Sequence, residues 1–291
     1  MTTTASGDDS LIMETFDPDR PSFDTARDER VSALALADRY VDGYCTICSK
    51  PARFVVSSDV LRENLVCPHD SCIGRYRAVT AALAFEYFGD GRRDLDETIH
   101  ALAEQRKRVY LTETNTSIYR RFAALMPADL FEVSEFLGDE FMPGERVAGV
   151  RHENLEHTSF EDAAFDLILT SEVMEHVPDA LQAEREIVRL LRPGGRYAFT
   201  VPLDPYGPDD IILSEKRPDG TIVHFGEPVY HGDPRRQEGI LAYRIFAARA
   251  LERRFQDLGC SFTTYRVWSQ KYGILGNYAW VHVARKRNAE G

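Results

Sequence analysis

The segment from Phe160 to Pro202 constrains the fold more than any other part of the chain. Its sequence is FEDAAFDLILTSEVMEHVPDALQAEREIVRLLRPGGRYAFTVP. FDLILTSEV is a continuous apolar run typical of a buried strand, and DALQAEREIVRLLRPGG has helical apolar spacing up to a stop at Pro193 and Gly194. RYAFTVP predicts a second strand. A strand, a helix and a strand in this order indicate a parallel pair joined by a helical crossover.

The same alternation begins upstream of this segment. RVYLTE and LFEVSEF predict strands on either side of the helix TSIYRRFAAL, and VAGVRHENLEHTSFED predicts a third strand with its loop. AVTAALAFEYFG and LDETIHALAEQRK predict earlier helices, whereas FAARALERRFQDLG predicts a late one. SFTTYRVW and YAWVHVAR predict two final strands. The pattern therefore predicts an α/β fold, with a mostly parallel sheet and helices on both faces.

Charge and hydropathy exclude some classes of protein. The 291 residues include 35 Lys and Arg against 47 Asp and Glu, which gives a net charge of −12. This balance argues against nucleic-acid wrapping or binding to an anionic membrane, because both need a basic surface. No apolar run approaches the roughly 18 residues of a membrane span, and the first residues do not resemble a secretory signal. We therefore expect a cytoplasmic protein that makes no membrane contact.

Composition along the chain predicts three regions. Residues 1–30 are acidic and rich in Ser, Thr, Asp and Pro, so we expect a mobile leader. Residues 31–106 hold four cysteines and two predicted helices, and residues 107–291 hold the alternating strands and helices. Within the last region, residues 203–235 are rich in Pro, Gly and Asp. They predict an insertion over the carboxyl edge of the sheet.

Two cysteine pairs predict a metal site. Cys45-x2-Cys48 and Cys67-x4-Cys72 are separated by 18 residues, close to the spacing of a zinc ribbon. Four thiolates would complete the coordination of the ion, so we predict one structural Zn²⁺ and a zinc-ribbon-like module. His69 in C-P-H-D-S-C is an alternative ligand. The cysteines could instead be reduced, buried side chains that pack as small apolar groups.

The connected motifs between Phe160 and Pro202 resemble class I S-adenosylmethionine-dependent methyltransferases, most closely those related to the methyltransferase 11 family. The resemblance rests on the FDLI strand, the E-H-V-P-D stretch, the long helix and the LRPGG turn, and it covers about Arg108 to Arg287. It implies a Rossmann-like fold whose last two strands form an antiparallel hairpin, with S-adenosylmethionine as cofactor. The cysteine segment and Y-H-G-D-P resemble a bacterial subgroup with a zinc-ribbon-like leader.

Open α/β sheets bind ligands beyond the carboxyl ends of their strands. Glu135 ends LFEVSE, about 20 residues past the first strand's turn, where an acidic residue takes the ribose hydroxyls in dinucleotide sites. Its alternative role is that of a solvated carboxylate. The first loop, L-T-E-T-N-T-S-I-Y, has Glu113, Asn115 and Ser117 where the family has glycines. We expect this loop to contact the methionine part of the cofactor, with Glu113 at the ammonium group, unless the loop binds no ligand. The hydroxyls of Thr114, Thr116 and Ser117 could contact the cofactor carboxylate or cap the following helix.

The next loops supply further cofactor candidates. Glu153 and Asn154 stand where the family places the pair that binds adenine, although a loop cap is an alternative role for them. Ser171 and Glu172 follow the fourth strand and are expected beneath the sulfonium. His176, in E-H-V-P, is expected to be a structural hydrogen-bonding residue rather than a base.

The predicted insertion contains the candidate acceptor site. Methyl transfer is an in-line displacement, so it needs positioning, exclusion of water and, for a hydroxyl or amine acceptor, a base. HFGEPVYHGDP supplies His231 as the catalytic base candidate, with Tyr230 beside it. These side chains could instead satisfy a turn. Near the end of the chain, Trp268, Tyr272 and Tyr278 could form an aromatic wall or simply pack in the core.

The leading hypothesis is methyl transfer to a hydroxyl, carboxyl or amine of a small molecule, such as one in natural-product or glycan assembly. The glycine-free first loop motivates an alternative, a degenerate Rossmann-like binding or scaffold protein. A third hypothesis is an RNA methyltransferase that uses the cysteine segment to bind RNA, and the net charge of −12 argues against it. The sequence sets no oligomeric state.

Overall fold

A computed structural model describes residues 11–17, 25–232, 236–276 and 279–288. Within these ranges the α-helices are α1 (Thr25–Asp38), α2 (Leu61–Asn64), α3 (Gly74–Phe88), α4 (Leu95–Glu104), α5 (Ser117–Leu125), α6 (Ala180–Leu190) and α7 (Ala248–Asp257). Short 3-10 helices span Ala128–Leu130 and Met174–His176. None of the helices in the described ranges has the length and apolarity needed to cross a membrane.

The strands of the described ranges vary from two to ten residues in length. They are β1 (Ile12–Thr15), β2 (Tyr40–Cys45), β3 (Lys50–Val56), β4 (Leu65–Val66), β5 (Val109–Leu111), β6 (Phe131–Val133), β7 (Arg146–Val147), β8 (Val150–Arg151), β9 (Phe165–Ser171), β10 (Leu191–Thr200), β11 (Leu203–Asp204), β12 (Ile211–Ile212), β13 (Ser214–Lys216), β14 (Ile222–His224), β15 (Tyr230–His231), β16 (Ile240–Leu241), β17 (Arg244–Ala247), β18 (Cys260–Trp268) and β19 (Trp280–Lys286).

The chain divides into two compact units. The first unit comprises Met1–Lys107, Thr116–Phe131 and Thr263–His282. The second unit comprises Arg108–Asn115, Glu132–Phe262 and Val283–Gly291.

The sheet of the second unit has its strands in the order β19-β10-β9-β5-β6. Strand β9 pairs in parallel with β10 on one side and with β5 on the other, so Ile168 lies opposite both Tyr197 and Tyr110. All seven residues of β9 are buried, which explains its continuous apolar sequence. This sheet confirms the predicted α/β fold with parallel central strands. Strand β6, which follows β5 along the chain, lies on one side of β5, and the later strand β9 lies on the other side. The strand order therefore reverses between β5 and β9.

Helix α6 packs its apolar face into the core of the second unit. Asp179 caps the helix by accepting a hydrogen bond from the Gln182 backbone N–H at 2.9 Å, and Ile187 and Leu190 are fully buried. The helix ends at Leu190, three residues before the predicted stop at Pro193. Strand β10 starts at once, and its register shifts between Leu191 and Arg196 around the Pro-Gly-Gly turn.

Two other predictions for the second unit need correction. In place of a regular third strand, β7 and β8 form a short antiparallel pair, and a single parallel bridge joins Glu135 to His152. Strand β15, within the predicted insertion at 203–235, pairs with β16, which lies outside those bounds. Such two-residue strands depend on a distant partner and have no periodicity of their own.

In the first unit, part of the predicted mobile leader is a regular strand. Strand β1 pairs antiparallel with β18, with Ile12 opposite Trp268, and α1 begins at Thr25. The rest of the leader, residues 1–10 and 18–24, lies outside the described residues. Trp268 is buried and donates its indole N–H to Asp28 at 2.8 Å, so its role is core packing. Tyr272 is buried as well, whereas Tyr278 lies outside the described residues.

Candidate functional site

The carboxyl ends of three strands meet through hydrogen bonds at the point where the strand order reverses. Glu113, just after β5, accepts a hydrogen bond from the Ser171 backbone N–H at 3.0 Å. The Ser171 hydroxyl lies 3.2 Å from the hydroxyl of Thr200, the last residue of β10. Beside them, the Thr112 hydroxyl is buried and has no hydrogen-bond partner among the described residues. Sequence reasoning missed Thr112, and only its position at a strand end could have indicated it.

Glu135 lies beside the first loop of the second unit. Its carboxylate oxygen Oε1 accepts hydrogen bonds from the Thr114 backbone N–H at 2.7 Å and from the Thr114 hydroxyl at 2.6 Å. The Ser134 N–H donates to the Leu111 carbonyl at 3.1 Å, which fixes the end of β6 against β5. Asn115 is exposed in the same loop. The hydrogen bonds from Thr114 join Glu135 to the loop that carries Glu113.

Ser117 belongs to the first unit, where it begins α5. The preceding Thr116 caps this helix by accepting a hydrogen bond from the Tyr119 N–H at 3.0 Å. The Ser117 hydroxyl is buried and has no hydrogen-bond partner among the described residues. Thr116 therefore performs the capping role, and the Ser117 hydroxyl keeps its hydrogen-bonding capacity.

Glu153 and Asn154, the two candidates for binding adenine, make hydrogen bonds within their own loop. Glu153 is buried and accepts hydrogen bonds from Arg151 Nε at 2.8 Å, from the Ser159 hydroxyl at 2.6 Å and from the Ser159 N–H at 2.8 Å. Asn154 accepts from the Glu156 N–H at 2.9 Å, which forms a local turn. These contacts favour the loop-cap alternative for both residues.

Glu172 has a strained backbone at the end of β9. Its φ is 59°, in the left-handed region that residues other than glycine seldom occupy. The Glu172 N–H donates to the Thr200 carbonyl at 3.0 Å, which holds this conformation. Strain of this kind costs about 1–3 kcal/mol and is concentrated at functional sites.

A buried carboxylate follows directly, in the Met174–His176 helix. The Glu175 side chain has no exposed surface, and its Oε1 lies 3.4 Å from His231 Nδ1 and 3.6 Å from His176 Nε2. The two imidazole rings stack edge to face with centroids 4.9 Å apart. Burial and the charge of Glu172 raise the pKa of Glu175 to about 7, against the opposing effect of His231.

The strand pair β15–β16 brings His231 to this carboxylate. His231 is paired with Ile240, and the Leu241 carbonyl lies 2.8 Å from His176 Nδ1. Tyr230 is exposed on the same strand. His176 thus has the structural hydrogen bond expected of it, and it also faces Glu175. Sequence reasoning missed Glu175, whose only local signal was its position beside His176.

The sulfurs of the four cysteines of the first unit lie close together in two pairs. The Cys45 and Cys72 sulfurs lie 3.3 Å apart, and those of Cys48 and Cys67 lie 3.8 Å apart. The ligand atoms of Cys45, Cys48, Cys67 and Asp70 all lie within 4.8 Å of one another. His69 Nε2 lies 3.0 Å from the Pro51 carbonyl, a contact that gives this imidazole a partner other than a metal.

The fully buried Arg77 stabilises negative charge on this cluster. Its Nη1 donates to Cys72 Sγ at 3.2 Å, and its Nε and Nη2 donate to the carbonyls of Tyr272 and Gly273. Burial raises the pKa of the Cys48 and Cys72 thiols. A cation would offset the cost of ionising several adjacent thiols, so this donor set fits a thiolate-bound metal.

Comparison with known proteins locates one domain within the chain. Residues 98–199 match the family model described as a methyltransferase domain. No curated protein matches the chain. A S-adenosylmethionine-dependent methyltransferase structure from Methanosarcina mazei is similar, with 16% identity, coverage of 66% of this chain and 97% of the other, and a TM-score of 0.36.

A second similar structure is the 1,6-didemethyltoxoflavin-N1-methyltransferase of Burkholderia thailandensis, solved with 1,6-didemethyltoxoflavin and S-adenosylhomocysteine. It is 19% identical and covers 82% of this chain and 96% of the other, with a TM-score of 0.37. The family match spans the chain from α4 to β10 and includes Glu113, Glu135 and Ser171. The matched segment thus contains these three polar residues near the point where the strand order reverses, whereas Thr200 lies one residue beyond it.

Proposed function

We propose that the protein is a S-adenosylmethionine-dependent methyltransferase with a small-molecule acceptor. The observation that carries this proposal is the match of residues 98–199 to a methyltransferase domain. The carboxyl edge of the sheet agrees with it, because ligands of open α/β folds bind where the strand order reverses. Glu113 and Glu135 lie there with the buried hydroxyl of Thr112.

The proposed cofactor contacts follow from these positions. The Glu135 carboxylate, oriented by Thr114, binds the ribose hydroxyls. Glu113 meets the ammonium group of the methionine part, while Ser171 and Glu172 lie beneath the sulfonium. Asn115, on the same loop as Glu113, is a further candidate for contact with the methionine part. Glu153 and Asn154 support the loop and are not retained as adenine contacts.

The proposed acceptor side centres on His231, with Tyr230 next to it. His231 is partly exposed while its Nδ1 faces the buried Glu175 carboxylate, so one side of the ring is accessible to a substrate. The methyl group passes from the sulfonium to an oxygen or nitrogen of the acceptor, and S-adenosylhomocysteine leaves. For a hydroxyl or amine, His231 activates the acceptor by promoting loss of its proton.

Mass spectrometry of molecules released from the denatured protein tests the cofactor, and transfer of label from methyl-labelled S-adenosylmethionine tests the acceptor. We expect S-adenosylmethionine or S-adenosylhomocysteine among the released molecules, and label in the low-mass fraction of a cell extract. Label in RNA would favour the RNA methyltransferase alternative. Absence of both cofactor forms, with no binding of either at millimolar concentration, would favour the scaffold alternative.

We also propose that Cys45, Cys48, Cys67 and Cys72 hold one structural Zn²⁺. Thiolates are preferred zinc ligands, and the Arg77 contact supports a thiolate at Cys72 rather than ligation by Asp70. Zinc should remain bound in Asp70→Asn and be lost from Cys72→Ser, as measured by elemental analysis of the untagged protein. Retention of zinc in Cys72→Ser with loss in Asp70→Asn would assign the fourth position to Asp70.

A further inference from the structure

We propose that Glu175, His176 and His231 bind a divalent transition-metal ion. The three side chains belong to the second unit, and their ligand atoms all lie within 4.8 Å of one another. Two imidazole nitrogens and one carboxylate oxygen form a donor set that first-row metals such as Zn²⁺, Co²⁺ and Fe²⁺ accept.

The spacing of the three groups favours metal binding over direct hydrogen bonding. Glu175 Oε1 is 3.4 Å from His231 Nδ1 and 3.6 Å from His176 Nε2. Neither Glu175 oxygen has a well-formed hydrogen bond among the described residues, although the side chain has no exposed surface. Ligand atoms about 2.1 Å from a shared ion are roughly 3.0–3.5 Å apart, so a small movement would complete the site.

The orientation of His176 supports the same conclusion. Its Nδ1 lies 2.8 Å from the Leu241 carbonyl, which can only accept a hydrogen bond, so the ring hydrogen is on Nδ1. The lone pair of the neutral ring is therefore on Nε2, the nitrogen that faces Glu175. Metal-binding histidines are commonly held by such a backbone carbonyl.

The charge around Glu175 also favours a cation. A buried carboxylate without hydrogen bonds is costly, and Glu172 adds a second negative charge nearby. A divalent ion would offset this cost more fully than two neutral imidazoles. The strand pair β15–β16 supplies both His231 and the carbonyl that orients His176, so the fold brings together ligands that are distant in sequence.

The use of this ion in catalysis rests on the proposed function. Three protein ligands leave coordination positions open, and the partly exposed His231 marks the accessible side, with 34% of its side chain exposed. An acceptor hydroxyl bound there would lose its proton to water more readily. In a metal-free alternative, Glu175 accepts the His231 Nδ1 hydrogen and His231 is itself the base. Both versions predict loss of turnover without His231, so metal content must separate them.

The test counts cobalt in the full chain after dialysis against Co²⁺ and removal of the free ion. The variants are Glu175→Gln and the double variant His176→Ala/His231→Ala, with His157→Ala as a matched control because His157 is exposed. The cysteine cluster contributes equally to every sample. We expect wild type and the control to hold one more cobalt per chain than the double variant, and at least tenfold weaker binding of that ion in Glu175→Gln.

Equal cobalt content and affinity in wild type and Glu175→Gln would overturn the proposal. Circular dichroism checks folding, and Glu175→Gln alone decides the result if the double variant does not fold. Binding of S-adenosylhomocysteine is measured on the same samples. If wild type binds S-adenosylhomocysteine but holds no more cobalt than the double variant, the metal site is refuted and the proposed function stays intact.

Discussion

Two buried carboxylates of the second unit differ in the hydrogen-bond donors that the fold places around them. Both Glu153 and Glu175 have side chains with no exposed surface. Glu153 accepts three hydrogen bonds from Arg151 and Ser159, all between 2.6 and 2.8 Å. Among the described residues Glu175 has no comparable hydrogen bond, and its Oε1 lies 3.6 Å from His176 Nε2 and 3.4 Å from His231 Nδ1.

The difference separates a structural carboxylate from one available for function. A fold that buries a charge for stability surrounds it with donors, as around Glu153, because an unsatisfied buried carboxylate costs free energy. Glu175 has no such donors in the described part of the chain, and it lies close to the strained backbone of Glu172. From the sequence, Glu153 was a ligand-binding candidate with a loop cap as the alternative role, and Glu175 had no role. The contacts of Glu153 favour the loop cap.

The largest expected effect is a loss of turnover when His231, the partly exposed neighbour of Glu175, is replaced. For a hydroxyl or amine acceptor, His231→Ala should lower kcat by roughly 10²–10⁴ and leave cofactor affinity nearly unchanged. Steady-state kinetics measures this, with His157→Ala as the control. A carboxylate acceptor is already ionised, so the loss would then appear mainly in KM. Unchanged kcat and KM would remove His231 from the site.

Replacing Glu153, the carboxylate with three hydrogen-bond donors, should reduce stability. Glu153→Gln loses charge-assisted hydrogen bonds and leaves Arg151, with 20% of its side chain exposed, without its ionic partner. We expect the free energy of unfolding to fall by about 2–4 kcal/mol. Denaturant titration by circular dichroism measures it. A change below about 0.5 kcal/mol would show that these contacts are not important for stability.

The smallest effect on the free energy of unfolding is expected for the same substitution at Glu175. In metal-free protein, Glu175→Gln removes a buried charge that lacks hydrogen-bond donors, so the free energy of unfolding should change by less than about 1 kcal/mol or rise. The measurement is the same denaturant titration, side by side with Glu153→Gln. A loss as large as that of Glu153→Gln would contradict the contrast between the two carboxylates.

Local sequence patterns predicted the parts of the fold that depend on neighbouring residues. The continuous apolar run of β9 and the amphipathic spacing of α6 fix the type of each element. The zinc site that the cysteine spacing predicts stays a prediction. The sheet edge on which Glu135 lies could also be predicted, because the carboxyl ends of parallel strands share one edge. Its contact with the ribose stays a prediction.

The remaining features depend on contacts between distant residues. Strand β1 is defined by its pairing with β18, and the approach of His231 to Glu175 depends on the pairing of β15 with β16. No short-range pattern specifies these pairs. Likewise, Glu153 and Glu175 are equally acidic in sequence, and only the arrangement of donors around each distinguishes them.

The most direct test of the account is calorimetric titration with S-adenosylhomocysteine, using wild type, Glu135→Ala and the control Glu132→Ala. We expect wild type and Glu132→Ala to bind alike, and Glu135→Ala to lose roughly 1–3 kcal/mol of binding free energy because its ribose contacts are gone. Equal affinity in all three proteins would show that Glu135 does not bind the cofactor. No binding by wild type at millimolar concentration would contradict the proposal that this carboxyl edge is a methyltransferase site.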